Sequence, residues 1–225
     1  MRLFIHVKVE IFSDVACPWC YIGQVRFAHA VERFRARGGE IEVIHRPFEL
    51  APGASTEGEP LLRALERKFG AGFAQMAPRV IDAAAEDGLV MNFDKAVSTG
   101  TFDAHRLIEV AARQGLGHEM SERLFAAYFT EGLHVGDPEV LARLAEEVGV
   151  KDTGEGAEEV RAQLARAHAL GISGVPLFLF EEKYTVSGAQ PEDTFLTVLE
   201  ELAERTGQTL LPPPADNCDD GVCAV

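Results

Sequence analysis

Apolar and polar residues alternate over residues 7–12, with Val7, Val9 and Ile11 on one side, the two-residue period of a strand. A short loop leads to Cys17-Pro18. Ile22, Val25, Ala28 and Val31 then recur at helical spacing until Gly38-Gly39 stops the run. Pro18 suits the first turn of that helix, where its missing N–H is not needed. Residues 41–45 are rich in β-branched side chains and predict a second strand before Pro47. The chain opens as strand, helix, strand, with a cysteine at the helix start.

The middle has another character. The pattern predicts helices over 61–69, 73–86, 102–113, 119–130, 138–148 and 157–170, separated by short turns. Asp137-Pro138-Glu139 is a helix start, an N-cap residue before a proline at the first position. Strand character returns over 176–180 and, after the polar turn Glu181-Glu182-Lys183, over 184–187, which predicts a hairpin. A last amphipathic helix covers 191–205. No repeat is visible.

Composition narrows the class. At 225 residues, 47% hydrophobic and 25% charged, this is an ordinary globular chain. Thirty-six acids against 21 bases leave a net charge of −15, which repels polyanions and argues against a nucleic-acid partner. The densest basic run, residues 33–37, falls on a helix whose apolar positions stay in register, so it reads as a solvated face. No apolar stretch approaches the roughly 20 residues of a membrane span. The first ten residues lack the apolar core and cleavage site of a signal peptide. No membrane partner and a cytoplasmic location are expected.

The four cysteines form two pairs, Cys17 with Cys20 and Cys218 with Cys223, with 197 cysteine-free residues between Cys20 and Cys218. A structural disulfide framework would spread its bridges through the fold. In a reducing compartment a close pair is catalytic, redox-sensing or metal-binding.

Cys17-Pro18-Trp19-Cys20 on the first turn of a helix has a physical logic. The unpaired N–H groups and the helix dipole favour a thiolate on the first cysteine. One helical turn brings the second sulfur back toward the first. Cys17 is therefore the expected nucleophile, the more exposed of the two, and Cys20 the buried resolving thiol; exchange runs through a mixed disulfide with substrate. The competing reading is half of a zinc site. The preceding strand, the following helix and Pro18 favour redox chemistry.

Gly174-Val175-Pro176 stands directly before the returning strand. A cis bond at Pro176 would set Val175 opposite the cysteines, its backbone free to pair with an extended substrate. A trans proline that merely opens an edge strand is the alternative. The cysteine motif upstream favours the cis reading.

The run Asp14-Val15-Ala16-Cys17-Pro18-Trp19-Cys20-Tyr21-Ile22-Gly23, with Arg46-Pro47-Phe48 and Gly174-Val175-Pro176, resembles the DsbA-like disulfide oxidoreductases, most of all their cytoplasmic FrnE-type branch. The likeness spans about residues 7–207. It implies an α/β thioredoxin-like fold, residues 1–58 and 171–211, interrupted by an all-helical insertion at 59–170 and followed by a flexible tail at 212–225. It also implies a protein-disulfide reductase or isomerase working through Cys17 and Cys20. Val175, Pro176 and Trp19 would contact substrate, with no cofactor and no bound metal. Its partners would be proteins bearing thiols or disulfides, and an electron donor that the sequence does not identify. Relatives of the kappa-class glutathione transferase and hydroxychromene-carboxylate isomerase type carry serine at the position of Cys17. The strongly oxidising periplasmic relatives carry histidine where this chain has Trp19, so a milder oxidant is expected here.

Two further classes stay open: a module gathering the four cysteines around zinc or cadmium, and a glutathione-dependent transferase or isomerase. The acidic tail with Cys218 and Cys223 is similar to an extension found on a FrnE-type protein. It reads either as an auxiliary redox pair, since Leu211 to Cys218 is seven steps, a reach of roughly 20–25 Å that allows it to fold back over a nearby cleft, or as a terminus whose cysteines form a passive disulfide or bind metal. Asp14 is a candidate for shuttling a proton or capping the loop. His45 and Arg46 on the second strand are candidates for tuning a thiolate near the cysteines; the commoner reading is a satisfied strand histidine and a surface ion pair. His105, His118, His134 and His168 are dispersed without ligand spacing. Phe125, Tyr128 and Phe129 read as core that can line the cleft facing Cys17.

Overall fold

The computed structural model describes residues 6–70 and 72–212. Strand β1 (Val7–Ser13) leads into α1 (Pro18–Ala36), β2 (Ile41–Pro47) and a two-residue β3 (Glu59–Pro60). Helices α2 (Leu61–Phe69) and α3 (Gly72–Glu86) follow, then β4 (Val97–Ser98), α4 (Phe102–Ala112) and α5 (Gly117–Phe125). A π-helical turn (Ala126–Glu131), α6 (Pro138–Val148) and α7 (Ala157–Ala169) complete the helical stretch. The hairpin β5 (Leu177–Phe180) and β6 (Tyr184–Ser187) and helix α8 (Glu192–Thr206) close the fold.

The main sheet has the order β2-β1-β5-β6. β1 and β2 run parallel, joined by α1, with Val7 opposite Ile41 and Ser13 opposite Pro47. β5 runs antiparallel to β1, and β6 to β5. This is a thioredoxin-like fold with the helical segments inserted between β2 and β5.

β1 is buried on both faces. Val7, Val9 and Ile11 pack with Phe27, Phe34, Phe178 and Phe195 under α1 and α8. Phe12 lies on the other side with Phe48, Ala167 and Leu179. The expected alternation therefore marks only half of what this strand buries, because it is central and covered by helices on both sides. The polar member of the alternation, Glu10, is buried as an ion pair with Arg46 and Arg166.

Two elements depart from expectation. β3 and β4 pair as a tiny ribbon, too short to leave a period in the sequence. The helix predicted over 119–130 ends at Phe125 and widens into the π-turn, closed by Gly132 at φ 72°. A side chain there would put its Cβ 2.5 Å from that of Lys95, so glycine is required by space as well as by conformation.

Asp137 caps α6 as expected, accepting a hydrogen bond from Glu139 N at 2.8 Å. Asp137→Ala should cost about 1 kcal/mol and lower the melting temperature by roughly 2–4 °C. An unchanged melting point would deny the cap its role.

Candidate active site

Cys17 is the N-cap residue of α1, its backbone extended at φ −96° and ψ 112°. Its carbonyl accepts from Cys20 N at 3.0 Å and Tyr21 N at 3.3 Å, which starts the helix. Both cysteines are free thiols. Both are also buried, Cys17 4% exposed and Cys20 1%, so the expected contrast in exposure is not there. The helical insertion is the cause: the two cysteines belong to its core cluster, together with Tyr21, Leu107, Leu124 and Phe129. Trp19 between them is the exposed member, at 39%.

The Val175–Pro176 peptide bond is cis. It brings the Val175 carbonyl to 3.7 Å from the Cys17 Sγ, so the thiol donates to the backbone of the residue before the proline. Gly23 makes that approach possible from the other side. A Cβ on Gly23 would sit 3.1 Å from Pro176 Cγ, so a larger residue would push α1 off the proline loop. In the sequence Gly23 stands only as the end of the cysteine motif, and a glycine one turn after the second cysteine is the signal it leaves.

The Cys20 thiol is pushed well above the ordinary thiol range by burial first, then by its hydrogen bond to Cys17. A hydrogen bond from the Asp14 backbone works the other way. Beneath the pair, Asp14 is buried and fully engaged. Its carboxylate accepts from Ala16 N at 3.2 Å and Leu50 N at 2.6 Å, and its carbonyl accepts from Cys17 N at 2.9 Å. His105 Nε2 lies 3.5 Å from Asp14 Oδ1 and 3.0 Å from the Phe48 carbonyl. Burial alone would raise the Asp14 carboxyl. Hydrogen bonds from His105, Leu50 and Thr101 prevail and hold it below the usual range. Burial and the Asp14 charge together raise the Tyr128 phenol. Asp14 thus ties the Cys17 loop, the segment after β2 and α4 of the insertion into one polar knot.

In the sequence His105 is one of four dispersed histidines without ligand spacing, and its place among the apolar positions of α4 carries no signal of its contact with Asp14. His45 and Arg46 are not at the site, and neither is as expected. His45 stacks on His118 at 5.6 Å with both ring nitrogens buried and without a hydrogen-bond partner among the described residues, and Arg46 pairs with the buried Glu10 rather than at the surface. Tyr128 and Phe129 line the cavity beside Cys17, whereas Phe125 stacks on Tyr21 at 5.2 Å. Cys218 and Cys223 lie outside the described residues. Among the described residues no three His, Cys, Asp or Glu side chains converge as metal ligands, and no helix is long and apolar enough to cross a membrane.

Comparison with known proteins places this arrangement. A family model described as the DSBA-like thioredoxin domain matches residues 8–200. YwbO of Bacillus subtilis is 30% identical over 200 residues, which cover 84% of this chain and 94% of that protein. The crystal structure of a probable DsbA oxidoreductase from Streptomyces coelicolor is similar with a TM-score of 0.79 and 36% identity, over 98% of this chain and 99% of that one. The cytosolic disulfide reductase DsbM of Pseudomonas aeruginosa, solved with GSH, has a TM-score of 0.61 at 23% identity, over 88% and 99% of the two chains, a likeness of fold.

Proposed function

We propose, from the premise that this chain belongs to the DSBA-like thioredoxin domain family, that it reduces or reshuffles disulfides of protein substrates through Cys17 and Cys20. The observation that carries this reading is the free dithiol whose Cys17 Sγ faces the Val175 carbonyl across 3.7 Å. A substrate strand pairing with the Val175 backbone would lay its own sulfur against Cys17. Cys17 attacks, the substrate disulfide opens, and Cys20 then displaces the substrate thiolate. An electron donor returns the pair to the dithiol.

The reducing or isomerising direction is favoured by what stands around the Cys17 sulfur. Its neighbours are a carbonyl and a thiol, and position 19 is tryptophan rather than histidine. Neither of these neighbours is a cation that would stabilise the reduced form, so the pair gives up its electrons more readily than a strongly oxidising one. A cytoplasmic setting and the FrnE-type branch belong to the same proposal. The test is stoichiometric: the pre-reduced chain ending at Leu211, which keeps only Cys17 and Cys20, should reduce one insulin disulfide per chain and end as the Cys17–Cys20 disulfide. Absence of transfer would overturn it.

The tail pair enters as a second part of the proposal, constrained by where the chain leaves the fold. Leu211 N donates to the Arg37 carbonyl at 2.8 Å, and Arg37 Nε donates back to Leu211 O at 2.7 Å. Arg37 follows the last turn of α1, roughly 30 Å from Cys17 at 1.5 Å per residue. Seven residues to Cys218 reach roughly 23–25 Å, whereas twelve to Cys223 reach roughly 40–43 Å. With the roughly 5.5–6 Å between the Cα atoms of a disulfide added, Cys218 meets Cys17 only at full extension, whereas Cys223 does so with slack and is the better placed of the two for a relay within one molecule. A chain ending at Leu211 should keep its first exchange with substrate but recycle differently, and Cys223→Ser should reproduce that change. Identical recycling in full-length and shortened proteins would sink the relay.

A further inference from the structure

Cys17 borders a cavity of about 610 Å³, the size of a small-molecule site. Its walls come from α2, α3 and the π-turn, with Leu61, Leu65, Val80, Phe93, Tyr128 and Phe129 turned into it. Val175, Pro18 and Trp19 line the same space, so the chamber opens directly beside the edge where a peptide strand would pair. Trp19, Leu50 and Phe69, all exposed, line the same space and give it an apolar entrance.

The charged groups at this cavity are unevenly matched. Asp14 is consumed by its buried hydrogen bonds, and Glu59 pairs with Arg67. Lys68 has no carboxylate partner among the described residues, its Nζ standing 5.5 Å from the Phe69 ring. An uncommitted cation and a nucleophilic sulfur on the walls of one apolar chamber specify a ligand with three parts.

We propose that the site accepts low-molecular-weight disulfides carrying an apolar chain that ends in a carboxylate. The chain fills the cavity, the carboxylate meets Lys68, and the sulfur meets Cys17. This rests on the reading of Cys17 as the exchanging thiol and names a substrate class for it. The Cys17 thiolate attacks the chain-bearing sulfur, the S–S bond breaks, and the other half leaves as a thiolate. Cys20 then loses its proton to solvent and displaces the chain-bearing thiolate, closing the Cys17–Cys20 disulfide. Two electrons pass from the protein dithiol to the small disulfide; a dithiol reductant such as dithiothreitol restores the pair.

The experiment has a redox arm and a binding arm. Single-turnover rates of the reduced protein are measured with symmetrical disulfides of ω-mercaptoalkanoic acids of increasing length. Each added methylene should raise the second-order rate constant roughly fourfold until the cavity is full. Trp19, the only tryptophan in the chain, reports binding of plain alkanoates by fluorescence, and their affinity should climb with the same step. Ala64→Phe, which fills the cavity from α2, should flatten both dependences while leaving the rate with 2-hydroxyethyl disulfide intact. Lys68→Gln should weaken the carboxylates a few-fold and spare the corresponding alcohols. Rates and affinities independent of chain length would overturn the proposal, as would Ala64→Phe slowing short and long disulfides equally in a folded protein. Alkanoates that bind with the expected step while no disulfide reacts would instead leave the cavity assigned and refute the redox reading of Cys17.

Discussion

Cys17→Ser is expected to bring disulfide exchange down to the uncatalysed rate, whereas Cys20→Ser should complete the first exchange and stop. The two outcomes differ because the two sulfurs sit in different surroundings. Cys17 meets the cis-proline loop, where substrate backbone can pair. Cys20 is enclosed by the insertion core and held protonated by burial and by its hydrogen bond to Cys17. With its thiol raised well above the ordinary range, Cys20 is a poor first nucleophile at neutral pH. Its turn comes once Cys17 is bound in the mixed disulfide, so resolution should accelerate as pH rises while the protein stays folded. The check is mass spectrometry of Cys20→Ser after exposure to a disulfide substrate, with rapid-quench rates of the wild type across the alkaline range. A substrate adduct on Cys20 in Cys17→Ser, formed as fast as the adduct on Cys17, would reverse the assignment.

How much of this was legible beforehand depends on the range of the signal. The strand, helix, strand opening, the helical middle and the closing hairpin each leave a period in their own residues, and each stands within a few positions of expectation. The cysteine motif and Gly174-Val175-Pro176 were legible for the same reason, being short and contiguous. What escaped was made by contacts across long separations. His105 reaches Asp14 from 91 positions away, so neither residue announces the other. Burial of Cys17 follows from helices more than 40 residues downstream folding over it, and a helix-start cysteine read in isolation looks exposed. The cavity lined by α2, α3 and the π-turn has no sequence signature, since its walls are ordinary core residues that happen to leave space. The two-residue ribbon and the π-turn fall below the length at which a period can be counted.

Glu10→Ala should be among the most destabilising substitutions away from the cysteines, costing about 3 kcal/mol, or roughly 6–12 °C in melting temperature. Glu10 lies on the central strand and is 1% exposed. Arg46 Nε donates to Oε1 at 2.6 Å from β2, and Arg166 donates to both oxygens, at 3.0 and 2.6 Å, from α7. One buried carboxylate therefore ties the sheet to the last helix of the insertion, and its removal leaves Arg46 and the more exposed Arg166 without their shared partner. Burial by itself would raise the Glu10 carboxyl, but the hydrogen bonds from Arg166 and Arg46 prevail and hold it below the usual value. The sign of the pH dependence follows. A depressed folded-state pKa contributes stability that is fully present above the unfolded value of about 4.3, and loses it as pH falls through the folded one. The gap in urea stability between wild type and Glu10→Ala should be widest near neutral pH and shrink toward pH 3. Replacing all three residues together, with Glu10→Leu, Arg46→Met and Arg166→Met, should recover most of the loss, because no charge is then left unpaired. A gap that stays constant from neutral to acid pH would show that Glu10 acts by packing alone.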